Sequence, residues 1–348
     1  MKHMMLVFNC KSGMILAEDI IHNGAKLASR NTVLNSYIID KLIGLGELKV
    51  SVYVAEDIDN LDKNNHSILK KFKHEYGVNI HLMKRVLNEL ITETKVNVDD
   101  VLQISNFIVN YLDEPNTLIE CLNSLKEADE YTYTHCLNVA IYSMLIAKWM
   151  NLSFESIIDV IQAALLHDIG KIKISNEILN KPSRLTKEEF DEIKKHSILG
   201  YAIANKHHGF NENIKEGILM HHERIDGSGY PFGKKGMDIA LSAKIVAVAD
   251  TFDAMTSSRV YKKGVTPFKA FLMFITEGIN QYDISVIFAL LENISAYYIG
   301  MKVEFEDGRI GEIVYIPPND VLCPIVKIDD ELIDLSRESG FNIINIFN

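Results

Sequence analysis

The sequence predicts a mostly α-helical protein with a small α+β module at its N-terminal end and a small β module at its C-terminal end. Two changes of hydrophobic period carry that prediction. From Val98 the apolar residues recur every three to four positions, with Val101, Leu102, Ile104, Ile108, Tyr111 and Leu112 on one helix face. After Gly300 they alternate, Val303 and Phe305 facing Ile310 and Val314 across Asp307-Gly308, a dipeptide that favours a tight hairpin. With 348 residues, 47% of them hydrophobic, the chain can bury one sizeable core and carry appendages.

Residues 1–95 alternate short apolar runs, such as Met14-Ile15-Leu16 and Val50 to Val54, with polar turns, then give an amphipathic stretch through Leu82, Val86, Leu87 and Leu90. They read as an α+β module ending in a helix, and Asp62 to Ser67 reads as a mobile connection. The module has no phosphoacceptor pattern or cofactor motif, which leaves dimerisation or response to an input as its expected role. Residues 96–298 form the helical domain. Pro115 is expected to stop its first helix and Asn116 to cap the next. Thr186-Lys187-Glu188-Glu189 is a capping box, so the helix carrying His196 is expected to start near Lys187. Thr266-Pro267 marks another start, and Asp283 can cap a helix through Leu291. Residues 299–348 are the β module.

Composition narrows the partners. Lys and Arg number 36 against 47 Asp and Glu, a formal net charge of −11, so a nucleic-acid polymer or an anionic membrane is not attracted and any phosphate-binding charge must be local. Cys10, Cys121, Cys136 and Cys323 form no C-x-x-C pair, which argues against a disulfide framework or a thiolate zinc site. No apolar run approaches the roughly 20 residues needed to span a bilayer. The expectation is a soluble, unprocessed, cytoplasmic chain.

The chemistry sits in His135, His167, Asp168, His196, His221, His222 and Asp250, each within or at the end of an expected helix. Neutral imidazole and carboxylate are the ligands that hold iron, manganese or zinc while leaving positions open for water and phosphate oxygens. Seven such groups suit two metals. His135 shares a helix face with Val139, Tyr142 and Ile146, so it points toward the core, where an unpartnered ring is costly. Asp168 is expected to bridge the two cations, because a carboxylate has two oxygens to share. Two cations about 3.5 to 4 Å apart acidify a shared water to a bridging hydroxide and neutralise phosphoryl oxygens during in-line displacement. Lys171 is placed to bind a phosphate oxygen or protonate the leaving oxygen, and Arg259 and Lys262 add positive charge. Asp226 to Pro231 reads as a turn whose glycines let the backbone approach a ligand, with Tyr230 as a stacking or hydrogen-bonding group.

These residues give the chain a resemblance to the HD-GYP family, the cyclic di-GMP phosphodiesterases of the HD hydrolase superfamily. It covers roughly residues 98 to 298, through Tyr131 to His135, His167 to Lys171, Lys181-Pro182, Leu185-Thr186, Glu189, His196, Gly200-Tyr201, His221 to Pro231 and Val248 to Tyr261. The resemblance implies an HD-superfamily helical bundle that opens cyclic di-GMP to linear pGpG or onward to GMP. Iron or manganese are the usual metals, zinc or others being alternatives. It implies the same seven ligands, with Lys171, Arg259 and Lys262 facing phosphate. Some members place a third-metal glutamate where this chain has Tyr131, and Glu130 is turned about 100° away on the helix, so two metals and pGpG are expected. The alternatives are a related cyclic dinucleotide such as 3′,3′-cGAMP, a general phosphohydrolase of the superfamily, or a non-hydrolytic adaptor. A homodimer and a protein partner on the Gly-Tyr-Pro turn are further candidates.

Other polar groups have plainer readings. His207-His208 precede Gly209-Phe210 in an expected loop and read as surface residues, as do His3, His22, His66, His74 and His81. Asp253, one helical turn after Asp250, stays open between ligand support, capping and surface. Cys136 reads as a small apolar residue.

Overall fold

The computed structural model describes residues 2–347 except 24, 29, 31, 54, 94–96, 125–130, 258–263, 318, 330 and 339–341. The expected mostly helical architecture with small antiparallel sheets near both ends is present, and the chain divides into two compact units.

The first unit joins Met1–Lys70, Val265–Leu272 and Leu290–Asn348. Its early part holds β1 (His3–Leu6), β2 (Ile15–Leu16), β3 (Ile20–His22), β4 (Ala25–Ala28), α1 (Ser36–Gly44) and β5 (Lys49–Tyr53). Strands β1, β5 and β2 form one antiparallel sheet, with β5 central, and β3 and β4 a separate hairpin. Asn35 starts α1 by accepting the Ile38 N–H at 2.8 Å. The late part holds β6 (Lys302–Phe305), β7 (Ile310–Tyr315), β8 (Ile325–Ile328), β9 (Glu331–Asp334) and β10 (Ile343–Phe347), in the sheet order β10-β6-β7-β8-β9. Leu16, Leu34, Ile38, Val50 and Val52 share a buried cluster with Val314, Tyr315 and Ile325, so strands from both ends of the chain close one core.

The β6–β7 hairpin corrects the expected facing. Phe305 N–H bonds Arg309 O at 3.0 Å, and Gly308 sits at φ +86°, which makes a three-residue loop rather than a two-residue turn. Val303 then pairs with Gly311 and Glu304 with Ile310. That register leaves Ile310 54% exposed while Val303, Phe305 and Val314 are buried.

The second unit, Lys71–Gly264 with Met273–Ala289, is helical. It takes most of α2 (Ala55–Glu93), then α3 (Val98–Val109), α4 (Pro115–Ser124), α5 (Tyr131–Trp149), α6 (Phe154–Leu166), α7 (Asn176–Leu179), α8 (Lys187–Lys194), α9 (His196–Ala204), α10 (Glu212–Met220) and α11 (Leu241–Thr256), with parts of α12 (Pro267–Thr276) and α13 (Ile284–Ile294). Between Cys136 and Ala147 nearly every side chain of α5 is buried, so this helix is the hub and has no solvent face to betray. The inward face of α6, with Ile157, Val160, Ile161, Ala164 and Leu165, packs the next layer.

Three helix boundaries differ from the expected ones. Asp62 to Ser67 lie inside α2, where the sequence has neither Gly nor Pro to interrupt the helix. Pro115 opens α4 instead of closing α3, which ends at Val109; at the first helical position its missing N–H costs nothing, and Asn116 falls inside the first turn. The capping box at Thr186 forms, with Glu189 and Thr186 exchanging hydrogen bonds of 3.2 and 2.7 Å, but the helix it starts ends at Lys194 and His196 begins a new one. The cap of α13 forms as expected, Asp283 accepting the Ser285 N–H at 3.1 Å, and the helix runs on to Ile294.

Gly170 fixes how α9 meets the end of α6. A Cβ there would overlap the His196 carbonyl oxygen and lie 2.6 Å from the Gly200 nitrogen, so the two backbones touch only because position 170 has no side chain. Gly170→Ala should force a shift costing about 1 to 3 kcal/mol. A melting temperature lowered by several degrees is the expected result of a thermal scan, and an unchanged one would contradict the contact.

Candidate metal centre

The seven residues singled out in the sequence converge in the helical unit from five helices. His135 lies inside α5; His167 is the residue after α6, with Asp168 next; His196 begins α9; His221 and His222 follow α10; Asp250 lies inside α11. They form two adjoining groups, Asp168 with His196, His221 and His222, and His135 with His167 and Asp250, and within each group the donor atoms lie within 4.8 Å of one another.

Three of the imidazoles are oriented alike. Nδ1 of His167, His196 and His221 each lies 2.7 Å from a carbonyl three residues earlier, those of Ala164, Ile193 and Ile218. A carbonyl can only accept, so Nδ1 carries the proton and Nε2 presents its lone pair to the site. The consequence is a conflict. His196 Nε2 and His221 Nε2 face each other at 3.3 Å, both rings are buried, and neither has a proton to give the other. His167 Nε2 and Asp168 Oδ1 are also buried without hydrogen-bond partners. Buried acceptors left unpaired cost about 1 to 3 kcal/mol each, and a cation relieves all of them together.

Protonation states agree with that role. Burial, reinforced by the neighbouring imidazoles, holds His221 well below the usual imidazole range and brings His222 down to about 3. His196 is lowered as well, by burial first. Burial alone would raise the two carboxyls, but Lys171 and His167 overcome it at Asp168 and His135 overcomes it at Asp250, so both sit far below the ordinary carboxylate range. At neutral pH the site therefore offers neutral His196, His221 and His222 beside ionised carboxylates. His135 differs. Burial disfavours its charge, yet Asp250 at 3.1 Å from Nε2 and Asp253 at 2.7 Å from Nδ1 outweigh this and raise it to about 10.

Asp168 stands between the groups. Its Oδ2 lies 3.4 Å from His167 Nε2 and its Oδ1 3.5 Å from His196 Nε2, one oxygen toward each group. Lys171 reaches back to Oδ2 at 2.6 Å. Tyr230 stacks on His222, ring centroids 4.6 Å apart and planes 29° from parallel. Arg259 and Lys262 lie outside the described residues, as does the side chain of Tyr131.

The glycine-rich turn works differently from the sequence reading. Gly229 lies against its own chain, where a Cβ would collide with the His222 oxygen and the Arg224 nitrogen, so the close approach is to backbone. Tyr230 N–H bonds His222 O at 3.2 Å, and the Tyr230-Pro231 peptide is cis. Glu223, unnoticed in the sequence, is 3% exposed and accepts the Phe232 and Lys234 N–H groups at 2.8 and 3.0 Å. Its only sequence signal was adjacency to the histidine pair. Asp253, left open, is 2% exposed and holds His135.

Residues 116–286 match the HD domain family. This stretch of the chain is an HD domain. The resemblance drawn from the sequence therefore holds. The chain is 35% identical over 225 residues to a cyclic di-GMP phosphodiesterase of Pseudomonas aeruginosa, covering 65% of this chain and 54% of that one. It is 40% identical over 216 residues to a cyclic di-GMP phosphodiesterase of Thermotoga maritima, covering 62% and 53%. The chain thus spans about half the length of these curated relatives. A solved HDG"Y"P protein from Bdellovibrio bacteriovorus shares the fold at 18% identity and a TM-score of 0.51, over 83% of this chain and 98% of that one. Among the described residues no helix of this HD-domain protein is long and apolar enough to cross a membrane.

Glu223→Gln replaces one accepting oxygen with a donor and leaves the Phe232 or Lys234 N–H unsatisfied. Faster hydrogen exchange at that amide, with a loss of about 1 to 3 kcal/mol of local stability, is expected. Exchange as slow as in the parent chain would mean that Glu223 does not hold the loop.

Proposed function

We propose that this HD-domain protein is a metal-dependent phosphodiesterase that opens cyclic di-GMP to linear pGpG. The opposed Nε2 lone pairs of His196 and His221, 3.3 Å apart and buried, carry the proposal, because a cation is the partner that satisfies both at once. His135, His167 and Asp250 would hold one divalent ion and His196, His221 and His222 the other, with Asp168 shared through its two oxygens. Iron or manganese suits such a mixture of imidazole and carboxylate. When bound, two such cations neutralise phosphoryl oxygens and lower the pKa of water.

The chain's own groups supply the rest. Lys171 keeps its ammonium at 2.6 Å from Asp168 Oδ2, at the edge of the ligand set, where it can neutralise a phosphate oxygen or give a proton to the departing sugar oxygen. Asp168, and after it Asp250, keep that ammonium protonated, raising its pKa although burial alone would lower it. Tyr230 fixes the ring of His222 by stacking on it. Arg259 and Lys262 complete the phosphate-facing charge in this reading. Tyr131 in place of a third-metal glutamate supports two cations and pGpG as the end product.

The same reading takes residues 96–298 as the catalytic domain, and 1–95 and 299–348 as modules for dimerisation or an input. None of the four cysteines is in a disulfide, which suits a cytoplasmic place of action.

The test is turnover by protein purified anaerobically and loaded with manganese or iron. Conversion of cyclic di-GMP to pGpG is expected, with chelation or Asp168→Ala abolishing it. Lys171→Met is expected to keep both metals and to lose about 10²- to 10³-fold in kcat. Faster turnover of 3′,3′-cGAMP at equal metal loading would replace the substrate, and tight nucleotide binding without hydrolysis under both metals would overturn the enzyme in favour of an adaptor.

A further inference from the structure

His135 is oriented by a different kind of partner from His167, His196 and His221. Their Nδ1 atoms lie against main-chain carbonyls, which helix geometry fixes, whereas His135 Nδ1 lies 2.7 Å from a side-chain carboxylate, Asp253 Oδ2, which must itself be held. Asp253 Oδ1 accepts from Asn138 Nδ2 at 3.0 Å and from Ser257 Oγ at 2.9 Å. Asn138, one turn beyond His135 on α5, has its own oxygen satisfied by the hydroxyl of Tyr76 at 2.6 Å. Tyr76 is 2% exposed on α2 and packs against Phe72, ring centroids 5.9 Å apart.

The direction of each bond in this series is forced. Asp253 is an acceptor only, so Asn138 must turn its NH₂ toward it and its oxygen toward Tyr76, which must then donate. Were the Asn138 amide to flip, its oxygen would face the carboxylate. The flip would also cost the 2.6 Å bond that the Asn138 oxygen accepts from Tyr76, whose hydroxyl could take the NH₂ only by turning its own proton to the Thr134 carbonyl, at a longer 3.4 Å. Tyr76 thereby holds Asn138 in the orientation that holds Asp253, which holds the plane of the His135 ring.

We infer that Tyr76, acting through Asn138 and Asp253, is a positioning residue for the cation held by His135, His167 and Asp250, and leaves the cation held by His196, His221 and His222 untouched. This rests on the two-cation reading of the site. It makes α2, which contributes none of the seven ligands, a determinant of how tightly one of two neighbouring ions is held. Carboxylate support of a metal-bound histidine typically changes metal affinity by about 10- to 100-fold when removed. Tyr76 acts one hydrogen bond further out, so a loss of about three- to tenfold is expected from Tyr76→Phe, which keeps the ring and its packing.

The experiment is a manganese titration of the full chain, stripped of metal, followed by electron paramagnetic resonance, for the parent, Tyr76→Phe, Asp253→Asn and the double variant. The parent should bind two ions. Tyr76→Phe should weaken one by about three- to tenfold and leave the other unchanged, and Asp253→Asn should weaken the same one by about 10- to 100-fold. In the double variant the two losses should fall short of adding, because both act on one series of bonds. Equal weakening of both ions, unchanged affinities in Tyr76→Phe, or full additivity would overturn the inference. A parent chain that binds no manganese would instead overturn the metal reading itself. If Tyr76→Phe melts well below the parent, Asp253→Asn alone still decides, since weakening of both ions by that variant contradicts selective positioning.

Discussion

Everything in the helical unit answers to one constraint: several buried imidazole lone pairs point at the same small volume. His167, His196 and His221 each commit Nδ1 to a main-chain carbonyl, and this leaves their Nε2 atoms facing inward, two of them 3.3 Å apart. An arrangement that concentrates acceptors is unfavourable as a protein interior and favourable as a ligand set. The surrounding fold is what keeps it from relaxing. Helix ends bring His167, His196 and His221 to the site with their rings already tethered, and the bare Gly170 lets the backbone of α9 reach the end of α6.

Charge completes the arrangement. Asp168 and Asp250 stay ionised although buried, because Lys171 and His135 lie beside them, and three histidines stay neutral because burial and one another oppose their protonation. The site holds its anions and lone pairs inside a chain whose overall charge is −11. Positive charge is supplied locally by Lys171, whose ammonium bonds Asp168 Oδ2 at 2.6 Å.

The seven converging residues could be read from the sequence because their chemistry is scarce and their neighbours in sequence form recognisable groups, as in His167-Asp168 and His221-His222. What supports them could not. Tyr76 and Asn138 are 62 positions apart and belong to common residue types, so only the packed helices reveal their bond. The glycines of the turn looked available to a ligand, whereas Gly229 is spent on contact with the backbone of His222 and Arg224. The break between α8 and α9 falls at Lys195, a residue that ordinarily continues helices, so no local signal marks it. In the other unit the period of two located the strands, but the three-residue loop after Phe305 set the register and sent Ile310 outward. That strands from both ends of the chain share a core is a non-local pairing with no counterpart in local pattern.

The most direct measurement is anomalous X-ray diffraction from crystals of the manganese- or iron-loaded protein, collected on either side of the metal absorption edge. The account predicts two anomalous peaks, one bound by His135, His167 and Asp250, the other by His196, His221 and His222, with Asp168 reaching both. A single peak, or peaks bound by other residues while His196 and His221 keep their Nε2 atoms facing each other, would contradict it.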